Sequence, residues 1–335
     1  LLPLTAQAAP TVYGRLNLSV DYTDSDDATS NAKDGIWELN SNSSRIGVKG
    51  NEKLTEEFTA VYKAEWGVQG DATVGDLNAR ERYLGLKHYQ WGTVRLGHID
   101  SPLKNAEDDI DVFNDMARLD MGSFIYGQNR LENSINYVSP KFLDVFGANI
   151  SLQPGEKNGA DSSSLCTVPK TPTDPAYNPC ENHIADAISA AFSYEDDNLY
   201  LSFAMDKEVM NMDAMRFNAR YKMGDATISA MYQMAEPSNL GAGATNEETA
   251  MMFSGSYKMD AVTVRGEVLV ANHDMGGGTE DDTTLIGVGV DYNFTQATKA
   301  FANLASGNME STPAAGAKST DSDVTYIGFG METRF

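Results

Sequence analysis

The sequence predicts an all-β fold: a sixteen-stranded antiparallel transmembrane β-barrel. Three observations carry this. Apolar and polar residues alternate with a period of two along most of the 335 residues. Sixteen stretches of that kind can be marked, at 11–22, 36–50, 56–69, 78–88, 91–99, 131–139, 144–152, 184–195, 198–206, 211–223, 225–235, 248–259, 261–272, 282–293, 296–306 and 323–335. The connections between them alternate between long and short.

The alternation is plainest in 262–270, where Val262, Val264, Gly266, Val268 and Val270 share one face and Thr263, Arg265, Glu267 and Leu269 the other. In 58–68, Phe58, Ala60, Tyr62, Ala64, Trp66 and Val68 oppose Thr59, Val61, Lys63, Glu65 and Gly67. Met215, Phe217, Ala219 and Tyr221 alternate with Arg216, Asn218, Arg220 and Lys222. The connections at 23–35, 70–77, 100–130, 153–183, 236–247, 273–281 and 307–322 are long, with 207–210 the short member of their set. Those at 51–55, 89–90, 140–143, 196–197, 224, 260 and 294–295 are tight. Short turns at one end and long loops at the other are the pattern of an up-and-down barrel in a membrane. Sixteen spans of about 10 residues use roughly 160 residues, so the length needs no second domain. Tyr22, Trp66, Tyr137, Tyr194, Tyr232, Tyr257 and Tyr292 recur near strand ends, where interfacial girdles lie.

Composition sets further bounds. The chain has 41% hydrophobic residues, and no stretch approaches the roughly 18 apolar residues of a membrane helix. Lys+Arg number 25 against 48 Asp+Glu, a net charge of -23. Nucleic acid is therefore not an expected partner, since its phosphates require a basic footprint. The apolar start ending in Ala6-Gln7-Ala8 reads as a signal-peptide remnant over 1–8, followed by one barrel domain over 9–335. Cys166 and Cys180 bound a loop rich in Pro and polar residues. A disulfide there agrees with export and would contribute about 3 kcal/mol in the chain-entropy picture. Enzyme signals are weak. His88, His98, His183 and His273 are scattered, no H-E-x-x-H, P-loop or G-x-S-x-G occurs, and no cofactor or metal site is expected.

Parity assigns the charges. Arg15 alternates with Gly14 and Leu16, Arg45 opposes Ile46 and Val48, and Arg95 lies between Val94 and Leu96, so all three point inward, as does Lys63. Arg130 shares parity with Asn136, while Leu131, Ile135 and Tyr137 are expected to face lipid. Stretch 78–88 is ambiguous, because Arg80 and Arg82 share a face with Leu84 and Leu86. An arginine facing the lipid midplane costs about 2–4 kcal/mol, which makes inward the favourable direction.

Val12-Tyr-Gly-Arg-Leu16, Ser44-Arg-Ile-Gly-Val-Lys-Gly50, Arg82-Tyr-Leu-Gly-Leu-Lys87 with Gly92-Thr-Val-Arg-Leu-Gly97, and the terminal Phe335 resemble the general (non-specific) porins of Gram-negative outer membranes. The resemblance implies a homotrimer in the outer membrane, passive diffusion of ions and small hydrophilic solutes, and a third loop (about 100–130) folded into the lumen. It further implies an eyelet in which loop acids face wall arginines. The basic wall would comprise Arg15, Arg45, Arg80 (with Arg82 the alternative) and Arg130, supported by Lys63 and Arg95. The acidic side would be Asp108, Asp109 and Asp111, with Glu107 and Asp115 secondary. The Pro-Glu-Phe-Gly-Gly loop tip of enterobacterial porins is absent, which leaves open the acid nearest the narrowest point. Acidic outer residues such as Asp24, Asp26, Asp27, Glu280, Asp281 and Asp282 either bind divalent cations that bridge lipopolysaccharide or solvate the mouth. They point to a modest cation preference. A solute-specific outer-membrane channel and a secreted β-rich adhesin are the competing readings.

Overall fold

The computed structural model describes residues 9–26, 35–71, 77–116, 118–155, 183–238, 245–313 and 320–335. The expected signal remnant and the Cys166–Cys180 disulfide lie outside these residues. The strands are β1 (Thr11–Ser25), β2 (Ile36–Ser41), β3 (Arg45–Lys53), β4 (Phe58–Gly67), β5 (Asn78–His88), β6 (Gly92–Asp100), β7 (Arg130–Val138), β8 (Phe146–Gln153) and β9 (Ala187–Glu195). They continue as β10 (Leu199–Val209), β11 (Met212–Met223), β12 (Ala226–Pro237), β13 (Glu247–Met259), β14 (Val262–Gly276), β15 (Thr279–Asn293), β16 (Thr298–Thr312) and β17 (Thr320–Arg334). Each pairs antiparallel with its neighbours, and β17 returns to pair with β1, from Arg15↔Arg334 to Ser25↔Val324. The sheet closes and leaves no edge.

Both β2 and β3 pair with β1, at Leu18↔Ser41 and Arg15↔Arg45. They are one span interrupted at Asn42–Ser44, so seventeen strands make sixteen spans. All sixteen expected stretches are present. Several run further than alternation suggested at their long-loop ends: β14 reaches Gly276 and β16 reaches Thr312. There the outer face turns polar while the ladder hydrogen bonds continue, as at Asn272↔Asp282 and Asn308↔Asp323.

Alternation divides the chain into two surfaces. On β14 and β15, Val264, Val268, Val270, Ile286, Val288 and Val290 are exposed, whereas Arg265, Glu267, Leu269, Ala271, Leu285 and Asp291 are buried. A belt of exposed Val, Leu, Ile, Met and Phe runs around the molecule, with charged and amide side chains buried behind it. Water would not tolerate that arrangement. A bilayer requires it.

Two bulges reset the alternation and correct two expectations. Between Ala64↔Arg82 and Trp66↔Ala79, Glu65 stands opposite both Arg80 and Glu81. The extra residue turns Arg80 toward Glu65 and Glu81 toward Lys63, and leaves Arg82 on the exposed face with Leu84 and Leu86. Arg82 is therefore not a wall residue of the interior. Between Gly97↔Ser134 and Ile99↔Leu131, the extra residue includes Asn133, whose φ is 51°. Leu131 turns from the expected lipid face to a buried cluster with Ala187 and Val209.

If the exposed parity is the lipid face, Val288→Arg costs about 2–4 kcal/mol of unfolding free energy in a lipid host, and Glu280→Arg at the strand end about 0–1 kcal/mol. Equal costs at the two positions would contradict this assignment.

Candidate functional site

Segment 101–129 joins β6 to β7. Ser101 caps a short helix, α1 (Pro102–Asn105), its side chain accepting from Lys104 N at 3.1 Å. Asp120 accepts from Asp115 N and Gly122 N at 2.7 Å each and caps a 3-10 turn at Met121–Ser123. The segment is fastened to the buried parity of the long strands. The Ala106 carbonyl accepts from Tyr200 OH at 3.0 Å and from Ser202 Oγ and Asn218 Nδ2 at 2.8 Å. The Ile110 carbonyl accepts from Ser254, and that of Val112 from Arg265 Nη1 at 2.5 Å. The Tyr126 carbonyl accepts from Gln233 Nε2 at 2.7 Å and Arg216 Nη2 at 3.0 Å, and Tyr126 N donates to Glu248 at 2.9 Å.

Apolar packing completes the seat. Ile110, Phe113, Met116, Leu119, Met121 and Ile125 are buried against Met252, Leu269, Leu285 and Phe301. Burying side chains of this size contributes about 1.5–3 kcal/mol each. Gly287 and Gly289 leave room for Phe113: a Cβ on Gly289 would lie 2.8 Å from its ring.

The opposite edge of the segment bounds a cavity of about 400 Å³. Ser41, Asn42, Ser43, Arg80 and Arg130 line it from the strands, and Lys104, Asn114, Asp115, Asp120 and Gln128 from the segment. Asp115 bridges the two sides. Its Oδ2 lies 2.8 Å from Arg15 Nη2 and 3.3 Å from Arg45 Nη1. Burial opposes its charge, but Arg15 and Arg45 outweigh that and hold its carboxyl below the usual range.

β1 and the shorter strands β2–β7 form the wall on this side, the short wall, and most of its cations have carboxylate partners in neighbouring strands. Arg80 Nε lies 2.6 Å from Glu65, Lys63 Nζ 2.6 Å from Glu81, and Arg130 Nε 2.7 Å from Asp100. Asp100 also meets Lys104 at 3.4 Å, and Arg15 meets Glu332 at 3.7 Å. Arg95 lies away from the cavity, donating to Asn136 Oδ1 at 2.7 and 2.9 Å and stacked 5.0 Å from the Tyr83 ring. Sequence reasoning did not assign these counter-charges. Glu65 shares parity with Lys63, so its signal was present, whereas Glu81 enters only through the bulge.

The acids Asp108, Asp109 and Asp111, expected at the narrowest point, have partners other than Arg15, Arg45, Arg80 and Arg130. Asp108 pairs with Arg220, and Asp109 lies 3.5 Å from the same guanidinium. Asp111 accepts from Phe113 N at 2.7 Å and Met121 N at 2.9 Å, inside the segment. Glu107 is buried, 3.6 Å from Arg216, and accepts from Asn114 at 3.0 Å and from Gln128. Arg216, Arg220 and Arg265 lie on the polar parity of their strands, so their position was legible. Their role as fasteners of the segment was not.

Burial, with Asp111 beside it, pushes the Glu107 carboxyl up to about 8, against the pull of Arg216 and Gln128. A carboxyl raised on folding is protonated in both states at low pH. Its contribution to stability then falls as pH rises from the ordinary carboxylate range through 8. The thermal midpoint of the detergent-folded protein should decline over that window and decline less in Glu107→Gln; identical slopes would contradict the assignment. Gly289→Val should dislodge Phe113 and expose segment 101–129 to limited proteolysis, with β-sheet content unchanged. Unaltered resistance would show that the Phe113 seat is not needed.

The family model described as Gram-negative porin matches residues 1–312. Major outer membrane protein P.IB of Neisseria gonorrhoeae is 25% identical over 333 residues, covering 89% of this chain and 88% of its own. A chitoporin of Vibrio furnissii is 30% identical over 161 residues, 44% of this chain and 42% of its own. Among solved structures, an anion-selective porin from Comamonas acidovorans superposes with a TM-score of 0.75 at 18% identity, over 98% of this chain and 99% of that one. The trimer form of OmpT from Vibrio cholerae superposes with a TM-score of 0.68 at 18% identity, over 98% and 100%. With its closed sixteen-span barrel and exposed apolar belt, the chain belongs to the Gram-negative porin family, outer-membrane channels for passive diffusion.

Proposed function

We propose that segment 101–129 lies across the lumen as the constriction loop, and that the cavity between it and the short wall is the narrowest part of the channel. Asp115 carries this reading. It is the loop acid that meets two wall arginines, Arg15 and Arg45, and beside it Arg80 and Arg130 line the same cavity. Solutes crossing there pass charged groups and hydroxyls on both sides, which favours small hydrophilic molecules over apolar ones.

The wall cations are largely offset by Glu65, Glu81, Asp100 and Glu332, so the eyelet is close to neutral. The net charge of -23 then acts from the rest of the chain and raises the cation concentration at the mouth. This supports a modest cation preference, in contrast to the anion-selective porin of Comamonas acidovorans. The assembly is a homotrimer in this reading, supported by the trimer form of the Vibrio cholerae neighbour, with acidic outer residues meeting lipopolysaccharide through divalent cations.

Planar-bilayer recording tests the reading. Conductance steps should come in groups of three, and the reversal potential in a KCl gradient should show mild cation preference that weakens at high salt. Arg45→Ala should raise the single-channel conductance by widening the eyelet, and Asp115→Asn should shift selectivity toward anions. Unchanged conductance and selectivity in both variants would place the constriction elsewhere.

A further inference from the structure

Glu267, on β14, is buried beneath the constriction loop, and no hydrogen-bond donor reaches either of its carboxylate oxygens. The side chain it meets is Asp111 of the loop. Both Asp111 oxygens already accept backbone amides, Oδ1 from Phe113 and Oδ2 from Met121. Two amide donors mark Asp111 as the charged acceptor of the pair. Asp120 and Glu107 face the same spot from the loop and add only negative charge. The nearby cation is Arg265 on the same strand, and its guanidinium is committed to Asp291 at 2.8 Å, the Val112 carbonyl at 2.5 Å and Asn303 at 3.2 Å. The cross-strand neighbours bring no charge: Ser254 on β13, whose hydroxyl donates to the Ile110 carbonyl, and Gly287 on β15. Two buried carboxylates in contact cannot both be ionised without a donor between them.

We infer that Glu267 is a positioning residue for the constriction: it carries a proton that it donates to the Asp111 carboxylate, and this hydrogen bond clamps the loop to β14. One proton serves two carboxyls. Its loss at alkaline pH leaves two facing anions, and the clamp becomes a repulsion that lifts the stretch around Asp111 off the wall. The inference rests on reading segment 101–129 as the constriction loop, and the test separates the two.

The full-length protein is compared as Glu107→Gln, which removes the other loop group raised by burial, and as the double variant Glu107→Gln/Glu267→Gln. Protease sensitivity of the loop and single-channel current are followed from neutral to alkaline pH. The single variant should show an alkaline rise in loop cleavage, together with a change in current. The double variant should lose that alkaline limb while staying resistant at neutral pH, because the glutamine amide still donates to Asp111. In the Glu107→Gln background, an infrared band of a protonated carboxyl should vanish when Glu267→Gln is added. Persistence of the alkaline limb in the double variant, or of the infrared band, overturns the clamp. If cleavage behaves as expected and the current does not change with pH, the clamp stands and the constriction reading falls.

Discussion

In a bilayer no water is available to satisfy a backbone amide or carbonyl, so a sheet that spans it must close on itself. The pairing of β17 with β1 meets that requirement, and the rest of the molecule depends on it. Closure gives every strand two unlike faces, and strict alternation assigns each residue to one of them. That is why a run such as Val264 to Val270 reads as a fringe of valines over Arg265, Glu267 and Leu269. Where the interior needs a different side chain, the chain inserts a residue instead of breaking closure. The bulge at Arg80–Glu81 brings Arg80 to Glu65 and Glu81 to Lys63, with Arg82 left exposed.

The interior shows the same economy of charge. A buried guanidinium is tolerable only with partners, and Arg216, wholly buried, meets Glu107, Gln233 and the Tyr126 carbonyl. The short wall pairs each cation near the cavity with a carboxylate of a neighbouring strand or of the loop, which offsets the repulsion among Arg15, Arg45, Lys63, Arg80 and Arg130. The long wall holds the loop with apolar contacts and hydrogen bonds to its carbonyls. Such a seat fixes the backbone of the loop and leaves the edge bearing Asp115 and Asp120 to face the cavity.

Much of this was legible in the amino-acid order alone. Arg15, Arg45 and Lys63 lie where parity puts them, because their strands run without interruption between the residues used to set the face. Arg80, which alternation groups with Leu84 and Leu86, and Leu131 do not, because a single inserted residue inverts every assignment beyond it, and nothing in a one-dimensional pattern marks an insertion. The apolar residues on the inner parity, Met252, Leu269, Leu285 and Phe301, were a readable sign that something packs there. That the packed element was the 101–129 segment required the third dimension.

By itself, the sequence determined the number of spans, their directions, which face meets lipid and which loops are long, since all of these follow from period-two alternation and turn length. It also supplied a segment rich in acids and a wall rich in arginines. Only the tertiary structure decided which acid meets which arginine. Asp108 to Asp115 are separated by a short stretch of chain, yet their partners, Arg220 and Arg15, lie on different walls of the barrel. Which strand a loop residue pairs with depends on how the loop is seated, and the seat is built from side chains on strands far apart in sequence.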